Sequence, residues 1–337
     1  MSITKELFNK QYFDNKSILI TGGTGTLGNT LTKHFLLNTN CKKVCIFSRD
    51  EFKQHEMKNR LRDHKNFDKL RFFIGDIRDT ERIAYALTNI DIVFHAAALK
   101  QVDAIEYNPM EAIKTNIDGT KNVIDGCINK NVKQLIGIST DKCVEPVNLY
   151  GATKLCLEKL IVAAHEYSGH KLNTCVLRYG NVIGSRGSVV PFFKKIEKTG
   201  EFTVTDERMT RFTLTIDDAA NFILNCVSIA KGGEIFVPKL KKYTIVQLCE
   251  VLNSNNTIKV IGIRPGEKLH EVMISKSESL NTWEGNSFFV VQPRWGLNKE
   301  FVKEFKLEKS KEIFSYSSED AELISNDNLK QQIDSSV

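Results

Sequence analysis

Short runs of β-branched and apolar residues recur along the first half of the chain, each followed by a stretch with helical spacing. Ser17–Ile20, Lys43–Ser48, Arg71–Gly75, Ile92–Ala97, Gln134–Ser139 and Asn173–Arg178 read as strands. Strands apolar on both faces belong in a parallel sheet covered on two sides. Segments such as Asn29–Leu37 and Asn116–Asn129 read as the amphipathic helices between them. The alternation predicts an α/β fold built on a doubly wound parallel sheet. After about Gly180 the rhythm weakens, and Pro191, Pro238, Pro265 and Pro293 interrupt short elements. This change predicts a smaller C-terminal lobe resting on the sheet's carboxyl edge, where doubly wound folds bind their ligands. The expected division is a nucleotide-binding domain carrying the catalytic residues at 1–181 and a substrate lobe over most of 182–337. Segments at about 210–236 are expected to return to the first domain. The tail beyond Phe314 is polar, and its last few residues are expected to be disordered.

Composition narrows the class. The chain has 337 residues, 41% hydrophobic and 26% charged, which suits one large globular domain or two modest ones. No apolar run approaches the ~18 residues of a membrane span. The opening MSITKELFNKQYFDNK lacks the basic-then-apolar order of a signal peptide, so a cytoplasmic location is expected. Eight cysteines include no C-x-x-C, and Cys45, Cys175 and Cys226 lie in apolar runs as small core residues. Reduced thiols fit that reading, and no cluster has metal-ligand spacing. The net charge of +6 is spread along the chain, with a mild lysine cluster between Lys299 and Lys311. It reads as a solvated surface without a nucleic-acid module, and it also suits an anionic small substrate.

The octapeptide TGGTGTLG, Thr21 to Gly28, follows the first strand and opens a helix. Gly22 allows a tight turn, Gly25 a close approach of backbone to pyrophosphate, and Gly28 close helix–strand packing. The helix N-terminus then offers free N–H groups and a positive dipole end to the phosphates. The second strand ends in SRDE. Asp50 there suits a ribose 2′-hydroxyl, whereas Arg49, supported by Lys53 and Ser48, suits a 2′-phosphate. Two cations and a hydroxyl against one carboxylate favour NADP over NAD. Asp76, after the third strand, is placed either to accept from the adenine amino group or to cap a helix.

The segment from Ile138 to Lys154, ISTDKCVEPVNLYGATK, is the richest in chemistry. Tyr150 and Lys154 are four apart in a predicted helix and share a face, with Cys156, Leu160 and Ala163 or Ala164 expected to form the inward stripe. A cation beside the phenol, together with a positive nicotinamide, is expected to lower its pKa and prepare it as a base. Thr140 can hydrogen-bond the same sugar hydroxyl. Asp141 and Lys142 add an acid and a base that a plain dehydrogenase does not need. Their presence points to movement of a hydroxyl and a carbon-bound proton.

TGxxGxxG, a strand-ending Ser/Thr and YxxxK together resemble the extended short-chain dehydrogenase/reductase family of Rossmann enzymes. Within it the chain is similar to the nucleotide-sugar 4,6-dehydratases of the inverting type that act on UDP-N-acetylglucosamine. The resemblance runs from about Ser17 to Leu323 and includes FFIGDIRD, HAAALKQV, KTNIDGT, STDK, RYGNVIGSRGSVVPFF, RMTRF and IGIRPGEKLHEVMI. It implies a tightly bound NADP that is recycled each turnover. Thr24, Thr26, Leu27, Ile77, Ala96, Ala97, Ala98, Lys100 and Asn116 join the cofactor set by the same resemblance. Tyr150 is implied to take the proton of the sugar 4-hydroxyl while hydride leaves carbon 4. Lys142 then takes the carbon 5 proton, and Asp141 is the acid for the departing 6-hydroxyl. Hydride returns to carbon 6, and a proton on the opposite face of carbon 5 inverts that centre. The implied place is the first step of pseudaminic acid synthesis.

The resemblance also assigns the nucleotide sugar to Lys100, Tyr179, Asn181, Ser188, Val189 and Val190. Arg211 and Arg264 are implied to bind the diphosphate, since guanidinium forks match phosphate oxygens, and Glu267 the uridine ribose. Arg208 reads as a surface ion pair, and His270–Glu271 as part of a structural helix. Where the family commonly has LKHV, this chain has LKQV with Gln101. A homo-oligomer, hexameric by resemblance, is expected. A retaining 4,6-dehydratase is one alternative, and two others stand. A UDP-sugar 4-epimerase or reductase on the same fold does not need Asp141 and Lys142, and a non-catalytic NADP-binding protein does not need Tyr150.

Overall fold

The computed structural model describes residues 9–185 and 187–336. The opening residues read above as lacking a signal sequence lie partly outside this range, because 1–8 are not among those described. Six strands follow the hydrophobic runs: β1 (Ser17–Thr21), β2 (Lys43–Ser48), β3 (Leu70–Ile74), β4 (Ile92–His95), β5 (Gln134–Thr140) and β6 (Asn173–Tyr179). They pair in parallel in the order 3-2-1-4-5-6, with the strand Glu234–Pro238 added beside β6. Such a sheet is buried on both faces, and all five residues of β1 are indeed buried. Antiparallel strands Phe288–Val291, Thr282–Glu284 and Glu308–Lys309 then extend the sheet to ten strands among the described residues. The α/β doubly wound architecture read from the alternation is the one observed.

Helices α1 (Thr26–Asn38) and α2 (Glu51–Leu61) illustrate the local logic. The first buries Gly28, Leu31, Thr32, Phe35 and Leu36, a stripe at helical spacing. Asp50 starts the second by accepting the Lys53 N–H at 2.9 Å, which satisfies one of the unpaired donors of the first turn. The helix Ile216–Ile229 lies in the main core with Phe222, Ile223 and Val227 buried.

A second, smaller hydrophobic cluster joins Ile183, Val190, Phe193, Phe202 and Val204 to Tyr243, Leu248, Ile324, Leu329 and Ile333. The polar tail is therefore not disordered up to residue 336. Asn326–Ser335 is a helix, capped where Ser325 accepts from Asn328 N, and it buries Leu329 and Ile333. Two apolar residues four apart suffice to dock a helix against an existing core, which average polarity conceals. Its last turn also touches the glycine-rich loop after β6, because a Cβ at Gly184 would stand 2.2 Å from Ser336 Oγ. Leu329→Ala is expected to cost about 2–5 kcal/mol in urea unfolding, the range for truncating a buried leucine. No measurable loss would be the result for a disordered tail.

Candidate active site

The strand order reverses between β1 and β4, and a cleft opens at their carboxyl ends. Its volume is about 630 Å³. Thr24, Gly25, Thr26, Leu27 and Gly28 line one end, with Ser48, Arg49, Asp50 and Lys53 after β2 and Asp76 and Ile77 after β3. The floor is Ala96, Ala97 and Ala98, and the other end is Lys100, Thr140, Lys142, Tyr150, Lys154, Tyr179, Asn181 and Ser188. Residues far apart in sequence thus meet in one groove.

The glycine turn is built for an anion. Gly22 has φ +65°, and a Cβ there would lie 2.9 Å from the Ala97 backbone, so the turn closes only with glycine. Gly25 is the N-cap of α1 and supplies no side-chain cap, which leaves the helix N-terminus to an outside acceptor. These features fit a dinucleotide pyrophosphate. At the ribose end, Asp50 is already engaged, with Oδ1 on Lys53 N and Oδ2 2.6 Å from Lys53 Nζ. Arg49 stays half-exposed, 3.4 Å from Asp76. Ser48 is buried and accepts from Thr24 Oγ1 at 3.2 Å. Asp76 does not cap the next helix. Asp79 does, accepting from Arg82 N, while Asp76 takes Arg78 in a fork at 3.0 and 2.7 Å. The nearby arginine won because Nε and Nη2 both donate to Asp76 Oδ2 while the Arg78 backbone N–H takes Oδ1 at 2.9 Å.

Asn116 is fully buried behind the cleft floor, outside the lining. It accepts from Leu99 N at 2.8 Å, and it donates to Leu99 O at 2.9 Å and to Thr153 Oγ1 at 3.0 Å. It therefore fastens the Ala96–Lys100 loop to the helix carrying Tyr150. It sits in the π-helical turn Lys114–Asp118, a rare geometry that widens a helix to aim one side chain.

Tyr150 and Lys154 project from the helix Leu149–Tyr167, started by Asn148 accepting from Gly151 N. Gly151 is essential in a way the spacing did not announce. A Cβ there would be 2.1 Å from the Lys142 carbonyl oxygen, so the helix can pass against the Asp141–Cys143 turn only with glycine. The inward stripe is Lys154, Leu157, Glu158, Ile161 and Ala164, not Cys156 and Leu160; Cys156 is exposed. A hydrophobicity reading slips here because two of the buried positions are charged. Glu158 is fully buried against Arg178 of β6, at 3.0 Å to Nε and 2.6 Å to Nη2. Arg178 also reaches Glu278 at 2.9 and 3.1 Å and the Met273 carbonyl at 2.8 Å.

Lys154 Nζ donates to the Ile138 carbonyl, and burial pushes its ammonium down to about 8. The expected depression of the Tyr150 phenol is not what the protein groups produce. Burial pushes it up to about 12, against the opposing effects of Lys142 and the Thr140 hydrogen bond. Lys154 is turned to the backbone of β5, so its charge does not offset the desolvation of the phenol.

Asp141 is fully buried and does not line the cleft. Its Oδ1 accepts from Thr140 Oγ1 at 2.9 Å and from Lys142 Nζ at 3.0 Å, while Oδ2 has no partner among the described residues. Burial raises its pKa and Glu271 adds to this, opposed by Lys142. Lys142 Nζ also lies 3.3 Å from Glu271 Oε1 and 3.5 Å from Asn181 Oδ1. Burial would depress its ammonium, but Asp141 and Glu271 together outweigh it and hold it well above the ordinary lysine value. Lys100 is pushed down by burial and by Lys142.

The sugar-nucleotide set is only partly assembled. Val189 starts the helix Val189–Ile196 and Val190 is buried in the small core, neither lining the cleft. Arg211 spends its fork on backbone carbonyls of Thr210, Leu269 and Lys268 at 2.7, 3.0 and 3.0 Å. Arg264 is 57% exposed, 3.8 Å from Glu267, and both lie off the cleft lining. Arg208 is the exposed surface pair, 2.7 Å from Asp206. Glu271 is not in a helix; it precedes the strand Val272–Ile274 and faces Lys142. Alternation over three residues is too short to signal a strand, and its charge partner is far away in sequence. Among the described residues no cluster could hold a metal, and no helix is long and apolar enough to cross a membrane.

Comparison with known proteins places this geometry. Residues 18–293 match the family described as polysaccharide biosynthesis protein. The chain belongs to that family. This family member is 49% identical to a Campylobacter jejuni UDP-N-acetylglucosamine 4,6-dehydratase (inverting), over 91% of its own length and 93% of the relative's. It is 41% identical to a Rickettsia rickettsii UDP-glucose 4-epimerase, over 87% of each chain. The solved structure of Pen from Bacillus thuringiensis superposes with a TM-score of 0.87 at 38% identity, covering 96% of this chain and 98% of that one. The extended short-chain dehydrogenase/reductase resemblance read from the motifs is thereby sustained.

Removing Arg178 tests how the catalytic helix is held. Arg178→Ala strands two carboxylates, one of them fully buried, and is expected to cost about 3–5 kcal/mol in denaturant unfolding.

Proposed function

We propose that this protein is a UDP-N-acetylglucosamine 4,6-dehydratase that inverts carbon 5. It oxidises carbon 4, eliminates water across carbons 5 and 6 and reduces carbon 6. The product is UDP-2-acetamido-2,6-dideoxy-β-L-arabino-hex-4-ulose. The observation that carries this reading is the Asp141–Lys142 pair, 3.0 Å between carboxylate and ammonium, whose lysine lines the same cleft as Tyr150 and a dinucleotide turn. The similarity to the Campylobacter dehydratase supports it.

NADP, when bound, supplies hydride acceptance at carbon 4 and hydride donation at carbon 6. The Gly22–Gly28 turn and the N-terminus of α1 would hold its pyrophosphate, and Arg49 its 2′-phosphate. Asp50, tied to Lys53, is poorly placed to receive a ribose hydroxyl, which favours NADP over NAD. Tyr150 takes the proton of the 4-hydroxyl, with the Thr140 hydroxyl as its hydrogen-bond partner. Burial raises the phenol, Lys142 and Thr140 oppose that rise, and a positive nicotinamide beside it would oppose it further. The new ketone acidifies the carbon 5 proton, which Lys142 removes once its own proton has passed to Asp141, 3.0 Å away. Asp141 protonates the departing 6-hydroxyl through the Thr140 hydroxyl or the Lys142 ammonium, each within hydrogen-bond reach. Carbon 5 regains a proton on its other face; the two protons taken up, from the 4-hydroxyl and carbon 5, balance the two given back, to the departing hydroxyl and carbon 5, so water is the net loss. Tyr179, Asn181 and Ser188 flank the sugar, and Arg211, Arg264 and Glu267 close on the nucleotide from the second lobe. The division at about residue 181, the cytoplasmic location, the homo-oligomeric state and the place at the start of pseudaminic acid synthesis complete the reading.

The Rickettsia relative favours a second reading, a UDP-sugar 4-epimerase. Incubation with UDP-N-acetylglucosamine in deuterated water, followed by NMR, separates the two. The expected product carries a new 6-methyl group and deuterium at carbon 5. Lys142→Ala should lower its formation by about 10²–10⁴-fold, the usual worth of a general base. A 4-epimer with its 6-hydroxymethyl intact, formed equally well by Lys142→Ala, would establish the epimerase instead. For the cofactor, Arg49→Ala should weaken NADP binding by about tenfold while leaving NAD binding nearly unchanged, as isothermal titration would show. Equal loss for both would remove Arg49 from the 2′-phosphate.

A further inference from the structure

Glu271 is a buried carboxylate that the reaction above does not use. Its backbone is pinned on both sides, with N–H donating to Ser318 Oγ at 2.9 Å and its carbonyl accepting from Ser318 N at 2.8 Å. Its side chain is 5% exposed. Oε1 faces two cations, Lys142 Nζ at 3.3 Å and Arg211 Nε at 3.8 Å, while Oε2 is buried without a partner among the described residues. Burying a carboxylate with one oxygen unsatisfied is costly, so the site is arranged for something other than stability. Two residues later the Met273 carbonyl accepts from Arg178 of β6, which also grips Glu158 in the helix of Tyr150. Glu271 therefore has little freedom to move relative to Tyr150 and Lys142.

We propose that Glu271 is a positioning residue for Lys142: its carboxylate holds the lysine Nζ at the cleft and joins it to Arg211. The inference rests on the dehydratase reading, in which Lys142 is the base at carbon 5. Two consequences follow from the geometry. The ammonium is steered between Asp141, Glu271 and Asn181 toward one orientation, and misplacement of a reacting group by about 1 Å can cost on the order of 10²-fold in rate. The charge of Glu271 also strengthens the lysine's hold on its proton, in concert with Asp141. Arg211, Lys100, Tyr150 and Tyr243 are the other charged or titratable groups electrically coupled to this cluster from neighbouring elements. Lys268 acts on Glu271 from the preceding loop and, with Lys142 and Arg211, keeps its carboxyl ionised despite burial.

Two variants separate the two consequences. Glu271→Gln keeps an acceptor for Lys142 Nζ but removes the charge, whereas Glu271→Ala removes both. The readouts are solvent deuterium appearing at carbon 5, which follows Lys142, and transient reduction of bound nicotinamide, which follows oxidation at carbon 4. A base must be neutral to act, so loss of the negative neighbour lets Lys142 shed its proton more easily. In Glu271→Gln the rising limb of carbon 5 exchange should therefore move about one pH unit toward acid, with carbon 4 oxidation within about threefold of wild type. In Glu271→Ala carbon 5 exchange should fall about tenfold or more while carbon 4 oxidation persists. An unshifted limb in the glutamine variant, or both steps falling together in either variant, would overturn the proposal. If the wild-type protein makes no 6-methyl sugar, the dehydratase reading itself fails, and that outcome is visible before any variant is compared.

Discussion

A guanidinium taken out of water must be met from every side, and Arg178 meets that demand with parts from three regions of the chain. It leaves the end of β6, forks onto Glu158 in the helix of Tyr150 and Lys154, and reaches Glu278 and the Met273 carbonyl in the C-terminal segment. Because an unpaired buried charge is so unfavourable, these three pieces are held in one arrangement rather than several. The tyrosine and its lysine, the turn bearing Asp141 and Lys142, and the segment bearing Glu271 thus share a single frame. Precision at the cleft begins behind it, in a bond network that touches no ligand.

The same economy of shape appears at the cleft wall. Gly151 lets the helix lie against the Lys142 carbonyl, and Gly22 lets the turn after β1 lie against Ala97. Asn116 then ties the cleft floor to the helix from behind. Where backbones approach this closely, the functional groups beside them inherit their positions from main-chain contacts and not from their own flexible stems.

Much of this was legible in the sequence, for physical reasons that also explain the failures. Doubly buried strands leave continuous apolar runs, so β1 to β6 were found within a residue or two of their ends. The Gly22–Gly28 turn and the Tyr150–Lys154 spacing are local, and a local signal survives in one dimension. The inward face of the catalytic helix was misjudged because Lys154 and Glu158 are buried with partners that hydrophobicity cannot see. The capping alternative for Asp76 failed because Arg78, two residues away, takes its carboxylate, although Asp76 still lines the cleft. Glu271 was invisible because its meaning comes from Lys142, which the fold brings close only in three dimensions. The terminal helix was missed because its whole signal is two apolar side chains in a polar setting.

That helix has a consequence for the order in which the molecule takes shape. The large sheet is assembled mostly from neighbours in sequence, strand by strand. The small core instead closes Ile183 and Val190 against Leu329 and Ile333, so its contacts span nearly half the chain. Such closure carries a large entropic cost before any contact rewards it, and it is slow compared with local pairing. The large sheet and its helices are thus built from local pairings, while the second core waits on the two ends of its long loop.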